Sequence, residues 1–104
     1  MPRFMLAYHG GAQPKTPEEG AAHMERYKKW LADLGDAALE PANTLRGLQT
    51  VTADGVNDGG VDNQMMGYTV IEADDMAAAI TIAKACPFVE MDTAKLVVAE
   101  IGSM

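Results

Sequence analysis

Two histidines are the side chains of this 104-residue sequence best suited to transfer protons near neutral pH. His23 precedes Trp30 by seven residues, and a helix of about 3.6 residues per turn puts both on one flank. We predict that His23 acts as a general acid or base and that Trp30 forms part of the pocket wall. The alternatives are a boundary histidine that packs beside Tyr27 and meets water, and a tryptophan that covers a sheet edge or contacts a second subunit.

A second set of candidates lies on two predicted strands. His9 ends the first strand and Glu72 lies at the end of a later one, and we expect these strands to run parallel, which brings the two side chains together. A neighbouring carboxylate favours the charged imidazole, although an exposed pair of this kind contributes little. Tyr8 and Tyr68, on the same two strands, are candidates to donate hydroxyl groups to a ligand. Alternatively, both rings pack in the core or at a dimer interface.

The sequence shows no recognisable metal or cofactor pattern. Asp54, Asp58 and Asp62 lack the alternating oxygen ligands and the closing glutamate of a calcium loop. Gly59-Gly60 does not lead from a strand into a helix, as a phosphate-binding loop does. We therefore expect neither a metal nor a cofactor.

Composition restricts the class of protein. The 8 basic and 15 acidic residues give a net charge of −7, which disfavours binding to nucleic acids and anionic membranes. The length of 104 residues predicts one domain, residues 1–104, and a hydrophobic fraction of 48% predicts that this domain is folded. No apolar segment approaches the ~18 residues that span a bilayer, and the single Cys86 forms no internal disulfide, so we expect a cytoplasmic protein. Cys86 precedes a proline at the C-terminus of a predicted helix, where the helix dipole disfavours a thiolate. We therefore do not expect Cys86 to be a nucleophile.

Apolar spacing predicts the first half of the fold. Residues 3–9 form a nearly continuous apolar run that is typical of a buried strand. Thr16, Pro17 and Glu19 mark the start of a helix, and its apolar stripe consists of Met24, Tyr27, Leu31 and Leu34. A weak strand over residues 45–52 and a stronger one over 65–73 are expected to pair as a hairpin across a polar loop, residues 53–64.

The second half completes a known arrangement. A helix follows Asp74-Asp75 and ends before Pro87, and its expected buried residues are Met76, Ala79, Ile80 and Ala83. Residues 94–101 form the last strand. The order β-α-β-β-α-β predicts an α+β, ferredoxin-like fold, with two helices on one face of a four-stranded antiparallel sheet. Because the other face is apolar and bare, we expect a second copy to cover it in a homodimer.

A resemblance to a known family covers nearly the whole chain, and the segments that carry it are Phe4-Met5-Leu6-Ala7-Tyr8, the helix from Pro17 to Trp30, Gly67-Tyr68-Thr69-Val70-Ile71-Glu72-Ala73-Asp74-Asp75-Met76 and Ala83-Lys84-Ala85-Cys86-Pro87. These segments resemble the YCII-related family of dimeric α/β-barrel proteins. The resemblance implies the ferredoxin-like fold and the dimer. Most members are uncharacterised, some lie beside sigma-factor-like regulators, and one branch dehalogenates hydroxyquinones.

The resemblance also bears on one candidate residue. His23 matches a helix histidine that a better-studied branch pairs with an aspartate at the end of the first strand. Here that strand ends Tyr8-His9-Gly10-Gly11, without a carboxylate. Another branch has Asp-Gly-Pro-Phe before the third strand, where this chain has Asp54-Gly55-Val56.

Two functions follow as alternatives. The first is a small-molecule binding protein or cofactor-free enzyme, in which His23 moves a proton on an aromatic or carbonyl-bearing substrate. The other residues expected to line its pocket are Tyr8, His9, Trp30, Tyr68 and Glu72. The second is a non-catalytic interaction module that docks on a partner, such as a transcription regulator. A ligand-sized cavity beside His23 favours the first, and a filled core with His23 bonded to backbone favours the second.

Overall fold

The computed structural model describes residues 1–10, 15–60, 64–91 and 93–102. In chain order its helices and strands are β1 (Arg3–His9), α1 (Pro17–Leu34), β2 (Ala38–Thr44), β3 (Gln49–Thr52), β4 (Gly55–Asp58), β5 (Met65–Glu72), α2 (Met76–Lys84) and β6 (Lys95–Glu100). Short 3₁₀ turns follow the two helices, at Gly35–Ala37 and Pro87–Glu90. The main sheet has the order β2-β5-β1-β6, and β3 pairs with β4 in a separate two-stranded hairpin.

All three strand pairs of the main sheet are antiparallel. Without the small hairpin, the elements alternate as β-α-β-β-α-β, which confirms the predicted α+β, ferredoxin-like fold. β1 and β5 occupy the centre of the sheet, and each is flanked by an edge strand.

The core lies between the sheet and both helices. Alternate residues of β1, namely Phe4, Leu6 and Tyr8, are buried together with Trp30 of α1 and Ala79 of α2. Since alternate strand residues share a face, both helices cover the same side of the sheet, as the sequence predicted. The opposite side presents what we call the open face, formed by Met5, Ala7, Val70, Val97 and Ala99 according to the strand register.

Helix α1 begins where the sequence indicates. The Thr16 side chain accepts a hydrogen bond from the Glu19 backbone N–H at 3.1 Å, and Pro17 occupies the first helical turn. The buried stripe differs in part from the prediction. Trp30 is its most buried member, whereas Met24 is 48% exposed at the rim of the core. The large indole therefore sets which side of α1 faces the sheet.

Helix α2 buries small residues against the sheet. Asp75 caps it by accepting a hydrogen bond from the Ala78 N–H at 2.9 Å. Ala79 and Ala83 are buried as predicted, but the expected burial of Met76 and Ile80 is wrong, since they are 38% and 40% exposed. These two side chains line an open groove of about 470 Å³ toward β6. The alanines allow the helix to lie close to the sheet, and the longer side chains then fall outside the contact.

The strand that pairs with β5 lies earlier in the chain than predicted. It is Ala38–Thr44, and its register is irregular on either side of Glu40. Pro41 in the sequence of β2 argues against a strand, yet proline is tolerated at a sheet edge, where β2 lies. Residues 49–52 instead pair with 55–58, inside the expected loop, with Thr52 opposite Gly55 across a tight turn.

The predicted proximity of His9 and Glu72 is wrong. β1 runs antiparallel to β5, so that Arg3 lies opposite Glu72 and His9 lies opposite Met65. Six residues of extended strand, about 20 Å, therefore separate His9 from the end of β1 nearest Glu72. The strand that runs parallel to β1 is β2. β5 lies between these two strands and is antiparallel to both.

Candidate functional site

A cleft of about 310 Å³ opens beside His23, between α1 and one end of the sheet. Its lining residues come from five segments and are Tyr8, His23, Met24, Tyr27, Asn43, Thr44, Met66, Gly67 and Phe88. This volume lies at the lower end of the range for small-molecule pockets. The cleft is thus large enough for a single-ring compound.

Helix geometry places two functional side chains on the same wall. His23 and Tyr27 are four residues apart on α1, so they project from one side of the helix, and both line the cleft. His23 is half-buried. Tyr27 rests against the buried Trp30, with ring centroids 5.6 Å apart, which fixes the orientation of its ring.

Three hydroxyl groups form a chain at the base of the cleft. The Tyr8 hydroxyl contacts the Tyr27 hydroxyl at 2.7 Å and is also hydrogen-bonded to Thr69 Oγ1. The Tyr27 and Thr69 oxygens lie 3.4 Å apart. Thr69 is completely buried on β5, and Tyr27 is half-buried. The chain therefore runs from the interior of the protein to the cleft.

Burial keeps the Tyr8 hydroxyl protonated. Its pKa is raised far above the usual tyrosine value, chiefly because burial penalises the phenolate, and proximity to Tyr27 adds to this effect, although the hydrogen bond with Thr69 opposes it. Tyr8 is consequently a neutral hydrogen-bonding group rather than a base.

The remaining walls of the cleft are apolar and close together. Phe88 packs on Tyr8 with ring centroids 4.9 Å apart, and its turn is linked to α1 by an ion pair between Arg26 and Glu90. Gly67 lies opposite Tyr8 in the sheet, and a β-carbon there would come within 2.6 Å of the Asn43 backbone oxygen. The absence of a side chain at Gly67 thus lets β2 approach and form the far side of the cleft.

The cleft contains no acidic side chain among the described residues that line it. This contrasts with the chain as a whole, in which 15 acidic residues outnumber 8 basic ones. The polar lining groups are the imidazole of His23, the hydroxyls of Tyr8, Tyr27 and Thr44, and the amide of Asn43. All of these are able to donate a hydrogen bond.

Of the residues predicted to form the site, Tyr8 and His23 come together at the cleft. Trp30 lies behind the wall, 7% exposed, and its indole N–H donates to the Ile82 backbone oxygen of α2 at 3.1 Å. It therefore joins the two helices and supports Tyr27 from behind.

The other three predicted residues do not line the cleft. Tyr68 lies opposite Ala7, and Glu72 opposite Arg3, so their side chains project on the open-face side of the sheet. His9 follows Tyr8 on β1 and projects to that same side, opposite Lys95 of β6. The sheet thus separates these residues from His23.

Sequence reasoning missed several lining residues. Tyr27 appears there as a stripe residue and as a packing neighbour of His23 but not as a lining residue, although its spacing of four from His23 is a usable signal. Thr69 does not line the cleft but bonds to Tyr8 behind it, and its place within an apolar strand gives no indication of that role. Asn43 and Phe88 line the cleft only because of where β2 and the turn after α2 lie in the fold, which the sequence pattern does not predict.

Within residues 1–10, 15–60, 64–91 and 93–102, no group of three or more His, Cys, Asp or Glu side chains is placed to hold a metal ion. Asp62 lies outside the described residues. Burial raises the pKa of the Cys86 thiol to about 11, which disfavours a nucleophilic thiolate. No helix in the described part of the chain is long and apolar enough to cross a membrane.

The family model described as YCII-related domain matches residues 1–101 of the chain. No curated protein matches the sequence.

Proposed function

The chain belongs to the YCII-related family, and we propose that it binds a small aromatic or carbonyl-bearing molecule in the cleft beside His23. The observation that carries this proposal is the cleft of about 310 Å³, which His23 and Tyr27 line from one side of α1. A filled core around His23 would instead favour a non-catalytic interaction module. Aromatic walls at Tyr8, Tyr27 and Phe88 suit a flat, apolar ring.

We further propose that His23 transfers a proton to or from the bound molecule without a cofactor. The imidazole is half-buried at the cleft and has hydroxyl groups on the same wall that can orient a substrate oxygen. The family's aspartate partner is absent at the end of β1, so the orientation of His23 depends on α1 and on the ligand itself.

The test is isothermal titration against a panel of phenols and quinones. Wild-type protein should bind at least one member, and His23→Ala should weaken that binding while its thermal melt stays close to wild type. Lys28→Ala, an exposed change on the same helix that leaves the cleft lining intact, is the matched control. Absence of binding across the whole panel would leave the interaction module as the better interpretation.

We also propose that two copies pair through the open face. Val97 is 51% exposed there, between Met5, Ala7 and Ala99, which the strand register puts on the same side. Exposed apolar area on a sheet is usually covered by another layer, and a second copy supplies an identical one. Sedimentation of a well-folded monomer at micromolar concentration would contradict this pairing.

A further inference from the structure

We propose that Tyr27 donates a hydrogen bond to an acceptor oxygen of the bound molecule, a carbonyl or an oxyanion, and that Tyr8 and Thr69 are the positioning residues for this donor. The inference rests on the proposed function, because it requires a ligand in the cleft. It goes further by specifying the polar end of that ligand and the residue that recognises it.

The first step is the direction of the hydroxyl chain. Tyr8 contacts both the Tyr27 and the Thr69 hydroxyls, and its single proton can serve only one of them. It must therefore accept from at least one of them, and it donates to the other when its own proton lies within the chain. If Thr69 donates to Tyr8 and Tyr8 donates to Tyr27, the Tyr27 proton is left with the long 3.4 Å contact to Thr69 Oγ1, which a ligand oxygen at normal hydrogen-bond distance in the cleft can replace.

The second step is the surroundings of the donor. Tyr27 and His23 share one wall of the cleft, and no lining residue in the described part of the chain carries a carboxylate. A cationic ligand would find no opposite charge in the lining itself, whereas an acceptor oxygen meets donors on His23 and Tyr27; the Asn43 amide already contacts Glu40 Oε1 at 3.4 Å. The donor-rich lining of an otherwise acidic protein thus favours an oxygen acceptor.

The third step is the strength of the donor. Hydrogen bonds in a chain polarise one another, so a Tyr27 hydroxyl that accepts from Tyr8 becomes a better donor to the ligand. The buried Thr69 anchors the far end, and burial keeps the Tyr8 hydroxyl protonated. Tyr8 and Thr69 therefore act on the ligand through Tyr27.

The experiment uses probes that share one ring and differ at the polar end. Benzoate, acetophenone, benzylamine and toluene supply an oxyanion, a carbonyl, a cation and no polar group. We expect benzoate and acetophenone to bind more tightly than toluene, and benzylamine to bind no better than toluene. Tyr27→Phe should weaken benzoate binding by about 10- to 100-fold and acetophenone binding by about 3- to 10-fold, with toluene unchanged.

The positioning residues are tested by the ratio of benzoate affinity to toluene affinity. This ratio is insensitive to a general loosening of the cleft, which weakens both probes. Tyr8→Phe and Thr69→Val should each lower it by about 3-fold, and Thr69→Ser should restore it. Thr81→Val, on the exposed side of α2, is the matched control for loss of a threonine hydroxyl.

The outcomes separate the two proposals. If toluene and the other probes bind but Tyr27→Phe leaves the benzoate to toluene ratio unchanged, the role of Tyr27 is refuted while ligand binding stands. Preferential binding of benzylamine would likewise refute it, because the chain would then run in the opposite direction. If no probe binds the wild-type protein, both proposals fall.

Discussion

The hydroxyl chain predicts a measurable loss of stability in Tyr8→Phe. The substitution keeps the ring and its packing on Phe88, 4.9 Å between centroids, and removes only the hydroxyl. Two hydrogen bonds are lost, to Tyr27 and to Thr69, each with a net contribution of about 1 kcal/mol. Because the Tyr27 and Thr69 oxygens already lie 3.4 Å apart, they recover part of this loss by bonding to each other.

We therefore expect the free energy of unfolding to fall by about 1 to 2 kcal/mol, which lowers the melting temperature by about 5 to 15 °C for a domain of this size. Urea titration followed by tryptophan fluorescence measures it, since Trp30 is the one tryptophan and is only 7% exposed. Protein concentrations must be equal, because pairing of two copies would make stability concentration-dependent.

A double-mutant cycle with Tyr27→Phe isolates the interaction. The two substitutions should be non-additive by at least about 0.5 kcal/mol, since they act on the same hydrogen bond. Tyr68→Phe removes a hydroxyl from the other side of the same sheet and should cost under about 0.5 kcal/mol. A Tyr8→Phe loss as small as that of Tyr68→Phe, or strict additivity in the cycle, would refute the reasoning.

Three further predictions concern other parts of the molecule. Burial raises the pKa of Cys86 from about 9 to about 11 and raises that of Tyr8 as well, so the unfolded chain loses these protons first. Urea titrations should show the free energy of unfolding falling by about 1 kcal/mol per pH unit between about pH 9 and pH 11. A constant free energy of unfolding over this range would contradict the burial of Cys86 and Tyr8. Trp30→Phe should lose about 1 kcal/mol in thermal melts by breaking the link to α2, and an unchanged melt would argue against that bond. Val97→Lys should shift sedimentation toward a monomer, while Val51→Lys, an exposed valine of the β3–β4 hairpin, should not; equal effects would contradict pairing through the open face.

The fold was predictable because several local signals agree. The capping residues Thr16 and Asp75 mark both helix starts, and the apolar runs of β1, β5 and β6 give the sheet. The sequence predicts the partner strand of β5 too late in the chain, because Pro41 argues against a strand in the segment that forms β2. A proline is acceptable in a strand only where that strand lacks a neighbour on one side, as β2 does at the edge of the sheet. The position of β2 at the edge of the sheet is set by the tertiary structure and cannot be read from the local sequence.

The lining of the cleft was predictable in part. The sequence names His23 on α1 and Tyr8 on β1, and helix spacing from His23 also reaches Tyr27. His9 and Glu72 do not lie together, because the expected parallel direction of their two strands is wrong. Strand alternation alone also does not say which face the helices cover, and this decides that Tyr8 faces the cleft while Tyr68 does not.

Ligand binding beside His23 is tested most directly by an NMR titration that follows the imidazole C–H resonances of both histidines while a phenol, a quinone or acetophenone is added. His23 lines the cleft, and His9 projects on the other side of the sheet, so His9 is an internal reference. We predict a saturable shift of the His23 resonances with His9 unchanged. Saturable binding that leaves His23 unshifted, or that shifts both histidines equally, would contradict a binding site in this cleft.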